Sequence, residues 1–569
     1  MKQSAKLKSS AFLLLSFVMV FTAACSSKDN TGSGAQASAS PSASAAASAS
    51  ASASPAAPAA NPLGKYDPPI NVSAVRIAQT SMKYENGDTI ENNAWIKLYA
   101  DKLGINLKYD WIVPDQAAYD QKMNITIASG ALPDIMSVNA TQFKDLSNNG
   151  QLADLTEAVN KFGSPKLKEV LNKDGGTALK ASTVGGKLMA LPVMPTPVDT
   201  VKLLWVRTDW LKKLNLPEPK TMQDVFAISD AFTNKDPDGN GKNDTFGLAI
   251  TKDLYSNPGL TGFFNSYHAY PQIWVNDGSG NVVWGSIQPQ MKTALTKLAE
   301  MYKNGQLDKE FGVKDGPKVD ESLSSSKVGM MYGEMWMPLG GGITNGKKLD
   351  PNEEWASYPL PSIDDKAAQP GITFGVSNFY VVKKGAKNPE AAVKLMNLYL
   401  DIDGSLDKTV NETYGNKDGI EKWKYATINQ VSVTNQDVHK NVSKALSDKD
   451  TSKFNASDKA IYDILVKFRE DGNVSGWAYD HVFGPQSSQQ LLVKYNEAKQ
   501  ILVTAFYGAP TPAMVAQMPA LKKLELEEFT KIIMNASPPD AFDAFVANWK
   551  KLGGDDMTKE ANDWVKSQK

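Results

Sequence analysis

Cysteine is almost absent from this chain: Cys25 is the only one in 569 residues. Because the chain after it holds none, no disulfide can form within that part of the protein. Long apolar runs are also missing after residue 24, where none approaches the 18 residues that a membrane-spanning helix needs. We therefore expect a body that is stabilised by core burial rather than by cross-links.

Positive charge is not concentrated anywhere along the chain. Lys and Arg number 61 against 62 Asp and Glu, which gives a formal net charge of −1. Binding to a phosphate backbone needs clustered positive charge, so nucleic acid is not expected as a partner.

The motifs of several enzyme classes are missing as well. The three histidines, His268, His439 and His481, lie far apart and in no H-E-x-x-H motif. Neither G-x-S-x-G nor G-x-x-x-x-G-K-[ST] occurs. The protein is therefore predicted not to be an enzyme. A glycosidase with two catalytic carboxylates stays open, because 62 acidic residues always offer pairs.

The first 25 residues have the pattern of an export signal that ends in a lipidation site. Three lysines come before residues 11–24, which carry no charge. Fourteen helical residues span roughly 21 Å, less than the ~30 Å hydrocarbon core of a bilayer. Residues 22–25, Thr-Ala-Ala-Cys, resemble a lipobox, after which Cys25 would carry a diacylglycerol and palmitate. We predict a lipoprotein signal peptide at 1–24. An ordinary signal peptide followed by a chance cysteine is the alternative.

The segment after the lipobox is built almost entirely from two small residues. Ala and Ser make up 22 of the 26 residues at 35–60, and three of the others are proline. Such a segment has too little apolar surface to offset the entropy of ordering. Residues 25–64 are therefore predicted to be a disordered tether that holds the body at the extracellular face of the cell membrane.

Helices and strands alternate in the first part of the body. Apolar and β-branched runs predict strands at 71–78, 105–111 and 134–138, and amphipathic patterns predict helices at 93–103 and 119–128. This β-α-β-α-β order indicates an α/β fold with a mostly parallel sheet and helices on its faces.

The last hundred residues are predicted to be helical. Phe542, Phe545, Trp549 and Leu552 recur at helical spacing, and two glycines follow them. We expect these four side chains to form one core-facing stripe.

Six motifs in the same order along the chain resemble those of extracellular solute-binding proteins. They are ASGALPDI at 128–135, GKLMALP at 186–192, the sequence from LLWV to QDV at 203–225, KVGMM at 327–331 with Trp336, PLP at 359–361 with NPEAA at 388–392, and a C-terminal block at 506–564. The last block is similar to the Gram-positive lipoprotein subfamily of oligosaccharide binders within family 1. The resemblance covers nearly the whole body apart from about residues 405–500.

This resemblance implies a two-lobed, type II periplasmic-binding-protein-like fold with a central hinge and a helical C-terminal region. Lobe 1 is expected to hold residues 65–194 and about 357–420, and lobe 2 residues 195–356 and about 421–569. Proline-rich stretches favour extended backbone, so we expect the chain to cross between the lobes near 192–200 and near 357–370.

The resemblance also implies a function. A lipid-anchored member of this family is expected to capture a carbohydrate, in particular an oligosaccharide, between its lobes and deliver it to the permease of an ABC transporter. It would act as a monomer, and the transporter would supply the ATPase. The alternatives are the glycosidase named above and a sugar sensor without a role in transport.

A sugar-binding cleft needs flat aromatic faces and fixed polar groups. Trp336 is the first candidate, because it follows a predicted strand in a turn of small and polar residues, with Glu334 two residues before it. Weaker candidates for the same role are Trp274, Trp205, Trp477 and Tyr479.

Residues 236–244, DPDGNGKND, have the ligand spacing of an EF-hand calcium loop. The expected oxygen donors are the side chains of Asp236, Asp238, Asn240 and Asp244 and the backbone carbonyl of Lys242. Position 12 of the loop, usually a bidentate Glu, is a glycine, so a further ligand must come from elsewhere. We predict a structural calcium ion. A turn without metal, made of turn-forming residues, is the alternative.

Overall fold

The computed structural model describes residues 61–85, 87–194, 196–376, 378–417, 420–431 and 433–568. The predicted signal peptide, Cys25 and the tether up to residue 60 lie outside the described residues. Within the described ranges, no helix is both long and apolar enough to cross a membrane.

The elements follow one another in four stretches of chain. The first holds β1 (Ile70–Ile77), α1 (Ala94–Leu98), β2 (Ile105–Val113), α2 (Gln116–Ser129), β3 (Ile135–Val138), α3 (Ala140–Asn148), α4 (Thr156–Phe162), α5 (Pro165–Leu171), α6 (Thr177–Ala181), β4 (Thr183–Val184), β5 (Lys187–Leu188) and β6 (Leu191–Pro192). The second holds β7 (Leu203–Arg207), α7 (Thr208–Lys213), α8 (Met222–Asn234), β8 (Phe246–Ala249), α9 (Thr261–Ser266), β9 (Trp274–Asn276), β10 (Val282–Trp284), α10 (Pro289–Lys303), α11 (Gly316–Ser324), β11 (Val328–Gly333), α12 (Gly341–Leu349), β12 (Trp355–Tyr358) and β13 (Gly371–Ile372).

The third stretch holds β14 (Phe379–Val382), α13 (Glu390–Asp403), α14 (Lys408–Tyr414), β15 (Asn416–Lys417) and β16 (Ile420–Glu421). The fourth holds α15 (Asn435–Asp448), α16 (Ala456–Asp471), α17 (Val474–Phe483), α18 (Ser488–Glu497), β17 (Leu502–Val503), α19 (Pro512–Ile533), α20 (Ala541–Trp549) and α21 (Asp555–Ser567).

The first and third stretches form lobe 1. β1 pairs in parallel with β2 and also contacts β3, and β14 runs antiparallel between β3 and β6. Alternate residues of β1 point to opposite faces, as expected for a strand. Ala74 packs with α1 and α13, whereas Val75 packs with Tyr119 of α2 and Phe143 of α3.

Lobe 2 is built around a sheet in the order β12-β7-β11-β8, in which only β8 and β11 are parallel. Every residue of β7 and β11 is buried, because helices cover both faces of the sheet. In place of the mostly parallel sheet predicted from the sequence, lobe 1 holds a parallel pair, β1-β2, beside an antiparallel sheet, β3-β14-β6, and lobe 2 holds a mixed sheet. The predicted α/β class with two lobes and a helical C-terminal region is confirmed.

The chain crosses between the lobes three times. Met194 packs in the core of lobe 1 and Val201 in that of lobe 2, with a short 3-10 helix, Pro197–Thr200, between them. The chain returns between Ile372 and Phe379, and it crosses again between Ile428 and Val438.

The second and third crossings do not lie at the lobe boundaries that were expected from the sequence, near residues 357 and 421. Leu360 and Ala368 pack in the core of lobe 2, so the proline-rich stretch at 357–370 runs along that lobe instead of leaving it. The backbone N–H of Met222 donates to the carbonyl of Ser362 and holds this stretch in place. Tyr425 and Ile428 pack in lobe 1, so lobe 2 resumes after them and not at residue 421.

Helices α15 to α18 form a four-helix segment beside the hinge. Its buried side chains, including Val442, Leu465 and Leu492, pack against Val201 and Met335 of lobe 2. This segment falls mostly in the part of the chain where the sequence resemblance is weakest.

Candidate functional site

The first crossing joins one edge of the lobe 1 sheet to one edge of the lobe 2 sheet. β6 ends at Pro192, and the crossing that follows enters β7 at Leu203. Because Leu203 pairs with Gly333, β11 ends at the edge where β7 begins. The ends of β1, β3 and β6 in lobe 1 and the end of β11 in lobe 2 therefore lie on the side that the crossing spans, where a ligand cleft is expected.

A cavity of about 180 Å³ lies at this edge of lobe 1, at the ends of β1 and β3. Its lining is rich in hydrogen-bonding groups: Arg76, Gln116, Asp120, Asn139, Asn378 and Asn429. Two phenols, Tyr119 and Tyr380, complete the wall. Burial raises the pKa of both tyrosines, so they stay protonated and neutral at ordinary pH.

Arg76 is the positive group of this wall. Its Nη1 donates to the carbonyl of Thr427 at 3.4 Å, and its Nη2 donates to the carbonyl of Lys424. Its Nε–H is buried and has no hydrogen-bond partner among the described residues. The guanidinium thus fixes the segment that leads to the third crossing and keeps donors that are not fully used.

In lobe 2, polar and aromatic residues lie next to β7 and β11, at the edge where the first crossing enters. Trp336 follows β11 and keeps 41% of its surface exposed. Its Nε1–H donates to Oε2 of Glu334 at 2.6 Å. The other carboxylate oxygen of Glu334, Oε1, accepts from Lys202 Nζ at 2.6 Å. Both partners of this ion pair are largely buried, with 10% and 18% of their side chains exposed.

The backbone of Glu334 is held as firmly as its side chain. Its N–H donates to Oδ1 of Asn257 at 3.0 Å, and its carbonyl accepts from Trp205 Nε1 at 3.2 Å. Asn257 keeps a buried Nδ2–H without a partner among the described residues. The exposed indole of Trp336 therefore stands on a rigid polar support. Such a flat apolar face beside polar groups suits the C–H face and the hydroxyls of a sugar ring.

The other aromatic candidates are not placed in this way. Trp205, Trp274 and Trp477 are buried, with 0%, 4% and 4% of their surface exposed, and each packs in a core of lobe 2. No face of these three rings is open to a ligand, so their burial does not support the predicted ligand-binding role. Tyr479 is partly buried and stacks on Phe483 at 6.2 Å within the four-helix segment. Of the predicted ligand-binding residues, only Trp336 combines an exposed ring with a polar partner, Glu334.

The Asp-rich loop lies between α8 and β8, and its polar side chains converge. Asn240 Nδ2 donates to Asp238 Oδ2 at 2.6 Å and to Asp244 Oδ1 at 3.1 Å. The carboxylate of Asp236 accepts from the backbone N–H groups of Asn240 and Gly241 at 3.0 and 3.1 Å. These side chains come from positions 1, 3, 5 and 9 of the predicted loop.

The charges in this loop are only partly balanced. Burial and a hydrogen bond with Asp236 raise the pKa of Asp238, as expected for two carboxyl groups that are crowded together. The Lys327 ammonium, 2.6 Å from Asp244 Oδ2, lowers the pKa of Asp244. The donors are of the oxygen type that calcium prefers. In the described ranges, however, no three His, Cys, Asp or Glu side chains are arranged to hold a metal ion.

The structure explains why the loop has no glutamate at position 12. Gly247 is buried in β8, and a Cβ there would lie 2.1 Å from Ser229 Oγ in α8. Thr245, at position 10, is also turned inward and donates to the carbonyl of Phe232 at 2.7 Å. The close packing of β8 on α8 therefore excludes a long ligand side chain at Gly247.

Several residues of the walls were not predicted from the sequence. Arg76, Asn139 and the other polar groups of the lobe 1 cavity were missed, as were Lys202 and Asn257. A signal was available for Asn139, because it directly follows the predicted strand at 134–138, and polar residues after parallel strands gather at one edge. Lys202 and Asn257 gave no such signal, since their partner Glu334 is far away in sequence.

The chain matches the family described as bacterial extracellular solute-binding protein over residues 86–404, which is more than half of its length. It is 29% identical over 227 residues to the polygalacturonan/rhamnogalacturonan-binding protein YtcQ of Bacillus subtilis, an alignment that covers 39% of this chain and 43% of YtcQ. It is 24% identical over 481 residues to the lipoprotein LipO of the same species, covering 82% of this chain and 87% of LipO.

Three solved structures have a similar fold. One is an HMO-binding, ABC-transporter-associated solute-binding protein from Bifidobacterium longum infantis, with a TM-score of 0.59 and 18% identity over 87% of this chain and 98% of that one. The second is the Streptococcus pneumoniae ABC-transporter substrate-binding protein FusA in complex with kestose, with a TM-score of 0.55 and 15% identity over 88% and 99%. The third is the alginate-binding protein AlgQ2 without calcium ion, with a TM-score of 0.52 and 15% identity over 89% and 99%. The family match and this shared fold agree, and the chain belongs to the family of bacterial extracellular solute-binding proteins.

Proposed function

We propose that this protein captures a carbohydrate, in particular an oligosaccharide, in the cleft between its lobes and delivers it to the permease of an ABC transporter. The observation that carries the proposal is the half-exposed indole of Trp336, held at the edge of lobe 2 on the side of the hinge where lobe 1 presents its polar cavity. An aromatic platform on one wall and amide, carboxylate and guanidinium groups on the other are the two elements that sugar recognition needs.

The names of the relatives support this class of ligand. YtcQ is named for polygalacturonan and rhamnogalacturonan, and the FusA structure contains kestose. These ligands differ in charge and linkage, so the common feature is a chain of sugar rings. Lobe closure about the three crossings would enclose part of such a chain.

Binding without turnover is part of the proposal. A two-carboxylate hydrolase needs one carboxyl group that protonates the leaving group and another that acts as a base or nucleophile. Glu334, the acidic residue closest to Trp336 in sequence, has its two carboxylate oxygens engaged by Lys202 and by the Trp336 indole. This engagement favours a supporting role over catalysis.

We further propose that the protein works as a monomer, anchored at the extracellular face of the cell membrane through a lipid on Cys25. The sequence at 22–25 and the Ala- and Ser-rich segment that follows support an anchor and a tether. The relative LipO is named a lipoprotein, which agrees with this arrangement.

The Asp-rich loop is proposed to hold a structural calcium ion. Asp236, Asp238, Asn240 and Asp244 would supply side-chain oxygens and Lys242 its backbone carbonyl, with water completing the shell. The convergence of Asp238 and Asp244 on Asn240 supports this, because it gathers carboxylates whose mutual repulsion a divalent cation would relieve. When bound, the ion would neutralise charge and fix the connection between α8 and β8.

A titration of the full-length protein with kestose and with a galacturonate tetramer tests the proposed function. A saccharide at 100 times its Kd should add ~2.7 kcal/mol to the free energy of unfolding. Trp336→Ala should weaken the binding of the same saccharide by about 2 kcal/mol or more, as at other aromatic hot spots. The free energy of unfolding without ligand should change much less, because the indole is half solvated.

The matched control is Trp477→Ala, which truncates a buried tryptophan of the same lobe. This change should lower the free energy of unfolding by about 3–5 kcal/mol and leave the Kd of the folded fraction unaltered. A Trp336→Ala variant that binds normally but melts far below wild type would place Trp336 in the core and overturn the site. No binding of any neutral or acidic oligosaccharide would overturn the function.

A further inference from the structure

Lobe 2 contains two sets of residues with the same arrangement of lysine, glutamate and tryptophan. In the cleft triplet, Lys202 Nζ and Trp336 Nε1 donate to the two carboxylate oxygens of Glu334, each at 2.6 Å. In the core triplet, Lys347 Nζ donates to one oxygen of Glu354, and Trp477 Nε1 donates to the other at 3.0 Å.

The two triplets lie at opposite ends of one sheet. Lys202 comes directly before β7 and Glu334 directly after β11, at the edge that borders the cleft. Glu354 comes directly before β12, whose first residue, Trp355, pairs with the last residue of β7. The same chemistry therefore serves two different surroundings, and the core triplet provides an internal comparison for the cleft triplet.

In the core triplet, the hydrogen bond to Glu354 is needed because the Trp477 indole is buried. Trp477 is 4% exposed, so its indole N–H has little access to water and needs a protein acceptor. Lys347 also lies over the Trp477 ring, with Nζ 5.1 Å from the ring centroid. Removing the glutamate there would leave a buried donor without a partner.

That reason does not apply to Trp336. With 41% of its surface exposed, its N–H could donate to water at little cost. It is instead held by the carboxylate of Glu334, whose other oxygen accepts from Lys202. The backbone of Glu334 is also held, by Asn257 and Trp205. Such a support restricts an exposed side chain that would otherwise sample several rotamers.

We propose that Lys202 and Glu334 are positioning residues that hold the Trp336 indole in one orientation before a sugar arrives. This inference rests on the proposed function and refines it, because it takes Glu334 out of the set of direct ligand contacts. The N–H edge of the ring is already used, so the sugar meets the ring face through its C–H groups. The entropy of fixing the side chain is lost on folding and not on binding.

Lys202 also connects this support to the hinge. It is separated from the 3-10 helix of the first crossing, Pro197–Thr200, by one residue, Val201. A residue between the first crossing and β7 thus fixes the carboxylate behind the indole. The ring is therefore held from the end of the hinge itself.

The positioning is tested without ligand by fluorine NMR of the full-length protein labelled with 5-fluorotryptophan. Trp336→Phe and Trp477→Phe assign the two resonances. In Lys202→Met, the Trp336 resonance should move toward that of free fluorotryptophan and change its width, while the Trp477 resonance stays in place. In Lys347→Met, the opposite pattern is expected. A Trp336 resonance that is unchanged in Lys202→Met overturns the proposal.

Binding supplies the second readout. In Lys202→Met and in Glu334→Gln, the Kd for whichever of kestose and a galacturonate tetramer binds wild type should rise roughly threefold to tenfold, the equivalent of ordering one side chain. Lys347→Met is the matched control, which should lower the melting temperature without changing Kd. Kd values for Lys202→Met equal to those of wild type overturn the proposal.

A double variant separates positioning from stability. Lys202→Met combined with Glu334→Met replaces the ion pair by apolar side chains, which often restores stability that a single change has lost. The melting temperature should return toward that of wild type while Kd stays raised, and recovery of both would assign the triplet a structural role only. If wild type binds neither saccharide, the proposed function is in question, and the fluorine resonances still decide whether Lys202 holds the indole.

Discussion

Glu525, in α19, is a carboxyl group enclosed by aromatic residues. Only 1% of its surface is exposed. Tyr255 donates its hydroxyl to Oε1 at 2.5 Å, and Trp284 Nε1 donates to Oε2 at 3.5 Å. Burial raises the pKa of Glu525, because the charged form loses hydration that these neutral donors replace only in part.

This raised pKa has a consequence for stability. The native state holds the proton of Glu525 at pH values where the unfolded chain, with a pKa of about 4.3, has released it. The free energy of unfolding should therefore fall as the pH rises from about 4.3 toward the raised native pKa. Glu525→Gln cannot titrate, so it should gain stability relative to wild type as the pH increases. Denaturant unfolding at pH 4.5 and pH 7.5 measures the difference.

Glu157→Gln is the control for this prediction. Glu157 lies in α4 with 75% of its side chain exposed. The variant should follow the pH dependence of wild type. A Glu525→Gln variant whose difference from wild type is the same at both pH values would contradict the prediction.

The tryptophans show which buried side chains can be predicted from the sequence and which cannot. The apolar run LLWV around Trp205 was a usable sign of a buried strand, and β7 is buried throughout. Trp274 and Trp477 gave no such sign. Their burial depends on Phe506 and Glu354, which approach only when distant parts of the chain fold together. Residue type and local spacing cannot distinguish these rings from Trp336.

At the scale of elements, most predicted strands and helices are present with shifted ends. The strand predicted at 105–111 extends to Val113, and the helix predicted at 119–128 begins at Gln116. Side-chain caps explain such shifts, since Asp115 accepts from the Ala118 backbone N–H and starts α2 three residues early. These caps are visible in the sequence once the helix itself is assigned.

The predicted stripe of the last helices shows a different error. Phe542, Phe545 and Trp549 are buried as expected, whereas Leu552 is 54% exposed. The helix is broken at Gly553, whose φ of 115° is outside the range of ordinary residues. Helical periodicity therefore no longer holds at Leu552. The two glycines marked the end correctly, but the stripe was extended one turn too far.

The Asp-rich loop is an element whose role a metal titration can decide. If the loop holds calcium, a chelator should lower the melting temperature and calcium should restore it better than magnesium, which demands tighter octahedral geometry. At 100 times its Kd the ion should contribute ~2.7 kcal/mol to the free energy of unfolding. Asp238→Ala should remove this dependence.

Asp277→Ala is the matched control for the loop. Asp277 also heads a tight turn, where its carboxylate accepts from the backbone N–H groups of Ser279 and Asn281. Removal of the Asp277 carboxylate should weaken this turn without changing how the melting temperature responds to calcium. If Asp238→Ala melts like wild type in both calcium and chelator, the Asp-rich loop is a turn that holds no calcium.

At the scale of the whole molecule, the order of the motifs along the chain predicted the two-lobed fold. It did not predict where the chain passes from one lobe to the other. Prolines favour extended backbone, but extended backbone runs along a lobe as readily as between lobes. The stretch at 357–370 is such a case, since Leu360 packs in lobe 2. The actual return to lobe 1, between Ile372 and Phe379, contains no proline. Where a chain changes lobes depends on which core receives each side chain, which is a property of the assembled fold.

The anchor is the last feature that concerns the whole molecule. Cys25 lies outside the described residues, and its proposed lipid is separated from the body by the segment at 25–64. Several acyl chains give stable membrane attachment, since each buried CH₂ contributes ~0.8 kcal/mol. Cys25→Ser should therefore release the protein from membranes while its melting temperature stays that of wild type, because the lobes are remote from the anchor in sequence. Fractionation of cells that express each form measures this, with Ser26→Ala as the control that should stay attached. Recovery of Cys25→Ser wholly in the membrane fraction would show that another part of the chain holds the protein there.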